Sequence, residues 1–243
     1  MSKRLPIYIL VDTSGSMKGE KIDQVQKGLE AMKQTFINTA TTSKCAWMSL
    51  ITFNCTAEVT VRTTPILKFQ IPNLNAIGRT SYVDALTKLI ACYNTDVIKR
   101  TARNQETADF KPILLFFSDG APTDSPSSLV TTIEDFKANY YRKFAAVVCI
   151  YAHKSSDSEA EMAKARACLQ QICGKSMNGD GTGTMIDVTD DYEKITVFFQ
   201  AVSQSIVQSV HDNRDMGQGL NVDLAQKFGE NDFGEIDTDM QFS

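Results

Sequence analysis

Histidine is scarce in this chain: His153 and His211 are the only two in 243 residues, and none of the six cysteines forms a Cys-x-x-Cys pair. A zinc site of clustered Cys and His ligands is therefore not expected. Cys45, Cys55, Cys92, Cys149, Cys168 and Cys173 are scattered, several within apolar stretches, and read as reduced thiols acting as small hydrophobes. Basic charge is not in surplus either. With 25 Lys and Arg against 29 Asp and Glu, the net charge is −4, which argues against nucleic acid as the main partner. No apolar run approaches the roughly 20 residues that cross a bilayer, so no membrane span is expected. The opening Met-Ser-Lys-Arg-Leu-Pro leads straight into a strand-like run with no small-residue cleavage site, so the expectation is no export signal and a cytoplasmic location. A phosphate loop is missing as well. Gly19 is followed by Glu20 rather than Lys-Ser or Lys-Thr, and the Gly-Lys-Ser at 174–176 has no glycine five residues upstream.

What the chain does have is an unbroken apolar run at 7–11 that stops abruptly in Asp12-Thr-Ser-Gly-Ser16. A short aliphatic run bounded by turn residues predicts a strand buried on both faces, as in a parallel sheet covered by helices. Asp12, Ser14 and Ser16 then fall in the loop at the carboxyl end of that strand, where open α/β sheets bind ligands. All three offer oxygen, and Gly15 lets the backbone curl so that both hydroxyls can face one centre. Hard cations take such donors, and Mg²⁺, which sheds water reluctantly, suits a few hydroxyls backed by carboxylates acting partly through water. The same residues also suit a plain turn, with Asp12 capping the next helix and the serines satisfying turn amides.

Apolar residues at 22, 25, 29, 32, 36 and 37 predict an amphipathic helix over 21–40. Runs at 46–53 and 57–61, separated by Asn54-Cys55-Thr56, predict an antiparallel hairpin at a sheet edge. Thr80 or Ser81 is placed to cap a helix through Val83, Leu86, Leu89 and Ile90. The polar segment 100–109 reads as an exposed excursion, and Lys99, Arg100 and Arg103 as a solvated face. Residues 112–120 form a second buried strand that ends in Asp119-Gly120, a counterpart of Asp12. Helices at about 127–141, 158–170 and 190–210 then alternate with strands at 144–150 and 185–188. The expected fold is α/β and doubly wound: a mostly parallel sheet with one antiparallel edge strand and helices on both faces. Trp47 reads as a core or strand-surface aromatic, and the run 179–183 as a glycine-rich loop.

The expected division is a folded body over 1–210 and an acidic tail over 211–243, in which eight acids face two bases. Leu220, Val222, Leu224, Phe228, Phe233, Ile236 and Phe242 interleave with those acids. The tail therefore suits folding back on its own domain as well as binding a partner.

Asp12-x-Ser14-x-Ser16, Thr80 at a helix start and Asp119 before Gly120 together resemble the metal-ion-dependent adhesion site of the von Willebrand factor A family, at all five positions and within a body of about 5–210. The resemblance implies that Ser14 and Ser16 bind Mg²⁺ directly, that Thr80 binds directly or through water according to state, and that Asp12 and Asp119 act mainly through ordered waters. Mn²⁺ and Ca²⁺ are the other candidate ions. It further implies that the sixth position is left for a Glu or Asp of a protein partner. The opening strand, the Gly78-Arg79-Thr80-Ser81 helix start and the closing segment 199–206 are most similar to the bacterial TerY group, which is linked with tellurite resistance and with modules containing a protein kinase and a PP2C-type phosphatase. Arg79 departs from the pattern, since many relatives carry Gly there.

An enzyme must use the same loops. A haloacid-dehalogenase-like phosphohydrolase would use Asp12 as nucleophile, but it wants a second carboxylate two residues on, where this chain has Ser14. Binding needs only a metal and an open position, so the expectation is a non-enzymatic adaptor.

Overall fold

The computed structural model describes residues 3–174 and 183–211. β1 (Leu5–Asp12) is buried at every position, and it pairs in parallel with β2 (Ala46–Phe53) on one side and β4 (Ile113–Ser118) on the other. β3 (Ala57–Pro65) runs antiparallel to β2 at one edge, while β5 (Ala146–His153) and β6 (Gly183–Thr189) extend the other side in parallel, giving the order β3-β2-β1-β4-β5-β6. This is the expected α/β doubly wound architecture, with its one antiparallel strand at the edge.

Alternate residues of the central strands feed two cores, as the period of two requires. Ile7, Ile9, Val11, Leu115 and Phe117 face the layer made by α1 (Glu20–Asn38) and α6 (Glu193–His211). Tyr8, Leu10, Leu114 and Phe116 face α3 (Tyr82–Asp96), α4 (Pro126–Asn139) and α5 (Glu159–Cys173). A one-turn helix, α2 (Thr42–Cys45), leads into β2. α1 and α6 lie so close that a Cβ on Gly28 would sit 2.2 Å from the Phe199 ring, which explains a glycine in mid-helix despite its cost.

Several boundaries differ from the sequence reading for identifiable reasons. β3 runs four residues beyond the expected 61, because Arg62-Thr-Thr-Pro65 lies on an edge strand that faces solvent and carries no apolar signature. α6 starts at Glu193 rather than 190, since Asp190 has φ 61°, a left-handed conformation that cannot open a helix. The excursion 100–109 is exposed only in part. Its last residue, Asp109, has a fully buried carboxylate held by Arg4. Five of the six cysteines are buried and all six are free. Trp47 is half-buried on β2 beneath the Arg4 guanidinium, 4.8 Å from its ring. Of the glycine-rich run expected as a loop at 179–183, residues 179–182 lie outside the described residues and Gly183 opens β6; the acidic tail beyond His211 also lies outside them.

Candidate functional site

The sheet order reverses direction between β1 and β4: the chain leaves β1 toward β2 on one side and arrives at β4 on the other. At such a switch point the two loops diverge and open a crevice at the carboxyl ends of the strands. β1 ends in Asp12 and β4 in Ser118, so both candidate acids stand at its mouth.

Backbone hydrogen bonds tie three loops together there. The Thr13 amide donates to the Phe53 carbonyl (2.7 Å), Ile77 donates to Thr13 (2.8 Å) and Gly15 donates to Gly78 (3.0 Å). Gly78 has φ +89°, and a Cβ on it would meet the Cys55 sulfur at 2.9 Å, so glycine is required at this crossing. Thr123 clasps the Thr80 carbonyl through its amide (2.8 Å) and its hydroxyl (3.0 Å). Met17, in the single 3-10 turn Gly15–Met17, is fully buried and anchors the first loop in the core. Ser81 caps α3 by accepting from the Asp84 amide, and the Asp124 carboxylate accepts from the Ser81 hydroxyl (2.6 Å) and the Tyr82 amide (2.7 Å). Asp124 and Ser118 hold this arrangement together, and neither was singled out from the sequence. Only their spacing from Asp119 hints at them.

All five sequence-selected residues come to one place. Ser14 Oγ and Ser16 Oγ lie 3.0 Å apart, and Ser16 Oγ donates to Asp119 Oδ1 at 2.7 Å. Ser14, Ser16, Thr80 and Asp119 line a common cleft of about 520 Å³. Asp12 lies behind it, fully buried, with one oxygen accepting from the Ser14 amide (2.7 Å) and the other from the Ser118 hydroxyl (2.6 Å). Asp12 therefore does not cap the following helix; Gly19 occupies the cap of α1. Burial pushes the Asp12 carboxyl up to about 7, with the Asp119 charge adding to the rise and the Ser118 and Ser14 hydrogen bonds opposing it. A site this reluctant to hold negative charge is one that a cation would relieve.

The donors suit a hard divalent ion in kind. They are hydroxyl and carboxylate oxygens from separate loops, and among the described residues no cluster of three or more His, Cys, Asp or Glu exists to favour a softer metal. One feature runs against the ion: Lys21 Nζ donates to Asp119 Oδ2 at 2.6 Å, buried, in the first turn of α1. Arg79 and Thr123 line the cleft, as do Lys154, Asp157 and Glu161, which the sequence alone does not single out.

Next to Lys154 in the chain stands a buried histidine. His153 Nε2 lies 2.7 Å from Asp187 Oδ1, with the Thr189 hydroxyl at 3.0 Å and an Arg166 η nitrogen at 3.2 Å also beside it, and Nδ1 lies 3.1 Å from the Lys154 carbonyl. Burial alone would lower the His153 pKa, but the Asp187 hydrogen bond, the Lys154 carbonyl and the Asp187 charge outweigh it and raise it, against Arg166. Burial would likewise raise Asp187, yet His153 and Arg166 hold it low. A raised folded-state His pKa stabilises fully below the unfolded value of about 6.5 and ceases to do so as pH rises through the folded pKa. The Asp187 contribution is present above the ordinary carboxylate range and is lost only as pH falls through its lowered value. Thermal midpoints should therefore fall as pH rises above about 6.5 in the wild type, and His153→Gln should flatten that slope. Parallel slopes for the two proteins would refute the assignment.

The family model for the von Willebrand factor type A domain matches residues 7–190. No curated protein matches. Similar solved structures include a von Willebrand factor type A protein from Catenulispora acidiphila, with TM-score 0.57 and 13% identity, covering 84% of this chain and 43% of that one. The PilB minor pilin from Streptococcus sanguinis gives TM-score 0.61 and 14% identity over 86% of this chain and 63% of that one. Proximal thread matrix protein 1 from the mussel byssus, with a zinc-occupied MIDAS motif, gives TM-score 0.53 and 13% identity over 85% and 46%. This chain thus spans less than two thirds of the length of each of the three, and at such identities the likeness shows the fold alone. With the family match covering more than half of its length, the chain belongs to the von Willebrand factor type A family.

Proposed function

We propose that this protein is a metal-dependent adaptor that captures an acidic side chain of a protein partner. In this reading Ser14, Ser16 and Thr80 hold Mg²⁺, with Mn²⁺ or Ca²⁺ as substitutes, and Asp12 and Asp119 stand behind them through water. The ion supplies an electrophilic centre for a partner's Glu or Asp. The observation that carries the reading is the gathering of oxygen donors from three loops in one cleft, including the contiguous Ser14, Ser16 and Asp119 oxygens.

The phosphohydrolase alternative is disfavoured by the same geometry. Asp12 has no exposed surface and both its oxygens are engaged, so it is not poised for attack. His153 is buried, does not line the cleft and has both ring nitrogens engaged, Nε2 by Asp187, Thr189 and Arg166 and Nδ1 by the Lys154 carbonyl, so it is not placed to act as a general base there. The TerY resemblance points to a cytoplasmic bacterial stress or tellurite-resistance module in which a protein kinase or a PP2C-type phosphatase is the partner. Residues 1–210 would then be the adhesion domain and 211–243 an acidic tail. No described helix is long and apolar enough to cross a membrane.

Calorimetric titration with Mg²⁺ and Mn²⁺ tests the metal assignment. One site per chain is expected in the wild type and none in the Asp12→Ala, Asp119→Ala double variant. Equal binding by both would end the proposal.

A further inference from the structure

Lys21 is placed where electrostatics disfavours it. It lies in the first turn of α1, at the positive end of the helix dipole, and its ammonium is almost wholly removed from solvent. The compensating partner is Asp119, whose Oδ2 receives the ammonium at 2.6 Å while Oδ1 receives Ser16 Oγ at 2.7 Å. Asp119 thus already has a cation before any metal arrives.

A divalent ion drawn to Ser14 and Ser16 would meet that ammonium at close range. Two cations cannot share one carboxylate in a poorly screened site without strong repulsion. A second seat for the ammonium lies nearby. Lys21 Nζ is 5.5 Å from the centre of the Tyr192 ring, and the Tyr192 hydroxyl is buried with no hydrogen-bond partner among the described residues. A buried hydroxyl left unsatisfied is costly, and one within a side-chain swing of a lysine is an acceptor in waiting.

We propose that Lys21 is a tethered counter-ion: it neutralises Asp119 in the metal-free protein, competes with the divalent ion for that carboxylate, and moves toward the Tyr192 hydroxyl when the ion binds. The inference rests on the metal reading above. It makes the intrinsic affinity for metal low, and a partner's carboxylate, by adding negative charge on the open side of the ion, tips the competition. Ion and partner then bind cooperatively, and the adaptor stays unloaded until its ligand is present.

Mn²⁺ titration of the whole chain at one fixed pH, alongside thermal midpoints in EDTA, tests this. Lys21→Met should lower the metal-free midpoint, because Asp119 loses its counter-ion, and should bind Mn²⁺ at least about tenfold more tightly. Lys21→Gln, which keeps a donor but no charge, should do the same more mildly and provides a folded variant if Lys21→Met does not fold. Tyr192→Phe should weaken Mn²⁺ binding several-fold while leaving the metal-free midpoint unchanged or higher. Folded Lys21→Gln that binds Mn²⁺ no better than a binding-competent wild type would overturn the counter-ion role and leave the metal site standing. Absence of Mn²⁺ binding in both wild type and Lys21→Gln would remove the metal reading and this inference with it.

Discussion

Capture of an acidic partner should succeed in Mg²⁺ and fail in EDTA, and Ser14→Ala or Thr80→Ala should reproduce the EDTA result in a folded protein. An octahedral ion held by two or three hydroxyls, with the acids acting through water, keeps an exchangeable position toward the cleft. A carboxylate from the partner fills it, and the partner's affinity is then inseparable from the ion's. Removing a group that only supports a metal ligand typically costs about 10–100-fold in metal affinity, so losing a direct ligand should cost at least as much. Folding should survive, because Ser14 Oγ pairs with Ser16 Oγ within the same loop, and that loop is held by backbone bonds to Phe53, Ile77 and Gly78. Arg79 and Lys154 line the same cleft, so charge reversal there should alter how fast an acidic partner associates more than whether it binds. Affinity capture from the native cell, run in parallel with and without EDTA, reads this directly, and a kinase or a PP2C-type phosphatase recovered only with Mg²⁺ would identify the module. Equal recovery in EDTA and by folded Asp12→Ala would mean that recognition uses another surface.

The sheet and the place of the cleft were legible because they follow from local pattern. Buried parallel strands announce themselves as continuous apolar runs, and two of these, at 7–11 and 113–117, end in acids that the switch-point rule brings together. What escaped the sequence reading depends on partners distant in the chain. Lys21 sits beside Ile22 in an amphipathic stripe, where a lysine reads as the edge of a solvated face; its burial is decided by Asp119, 98 residues away. His153 follows a strand expected to end at 150, and only the pairing of β5 with β6 sets Asp187 and Thr189 beside it. Lys154, Asp157 and Glu161 escape for the same reason: they are ordinary surface residues until the β5–α5 turn and the start of α5 bring them to the cleft that Arg79 also lines.

Arg4→Ala should be among the most destabilising single changes in the chain, although Arg4 stands at the start of a strand with no role in the cleft. Its guanidinium meets Asp109 through two bonds, Nε to Oδ1 at 2.7 Å and an η nitrogen to Oδ2 at 2.6 Å. The same η nitrogen donates to the Asp96 carbonyl at 2.8 Å, and the group stacks over Trp47. One side chain thus joins β1, β2, the end of α3 and the segment that returns the chain to β4. Asp109 has no exposed side-chain surface, whereas that of Arg4 is 22% exposed. Truncating Arg4 strands a buried carboxylate with only the Ile98 amide, at 2.8 Å, to hold it. Breaking a buried pair from one side costs about 3–5 kcal/mol, and partial exposure of Arg4 places this case near the lower end. For a chain of this size that corresponds to a fall of about 10 °C in thermal midpoint. The asymmetry supplies the sharper test. Asp109→Ala in the Arg4→Ala background removes the stranded charge, so the double variant should recover part of the loss in urea denaturation rather than add to it. Additive losses would mean that Arg4 acts through its packing on Trp47 and not through the buried carboxylate.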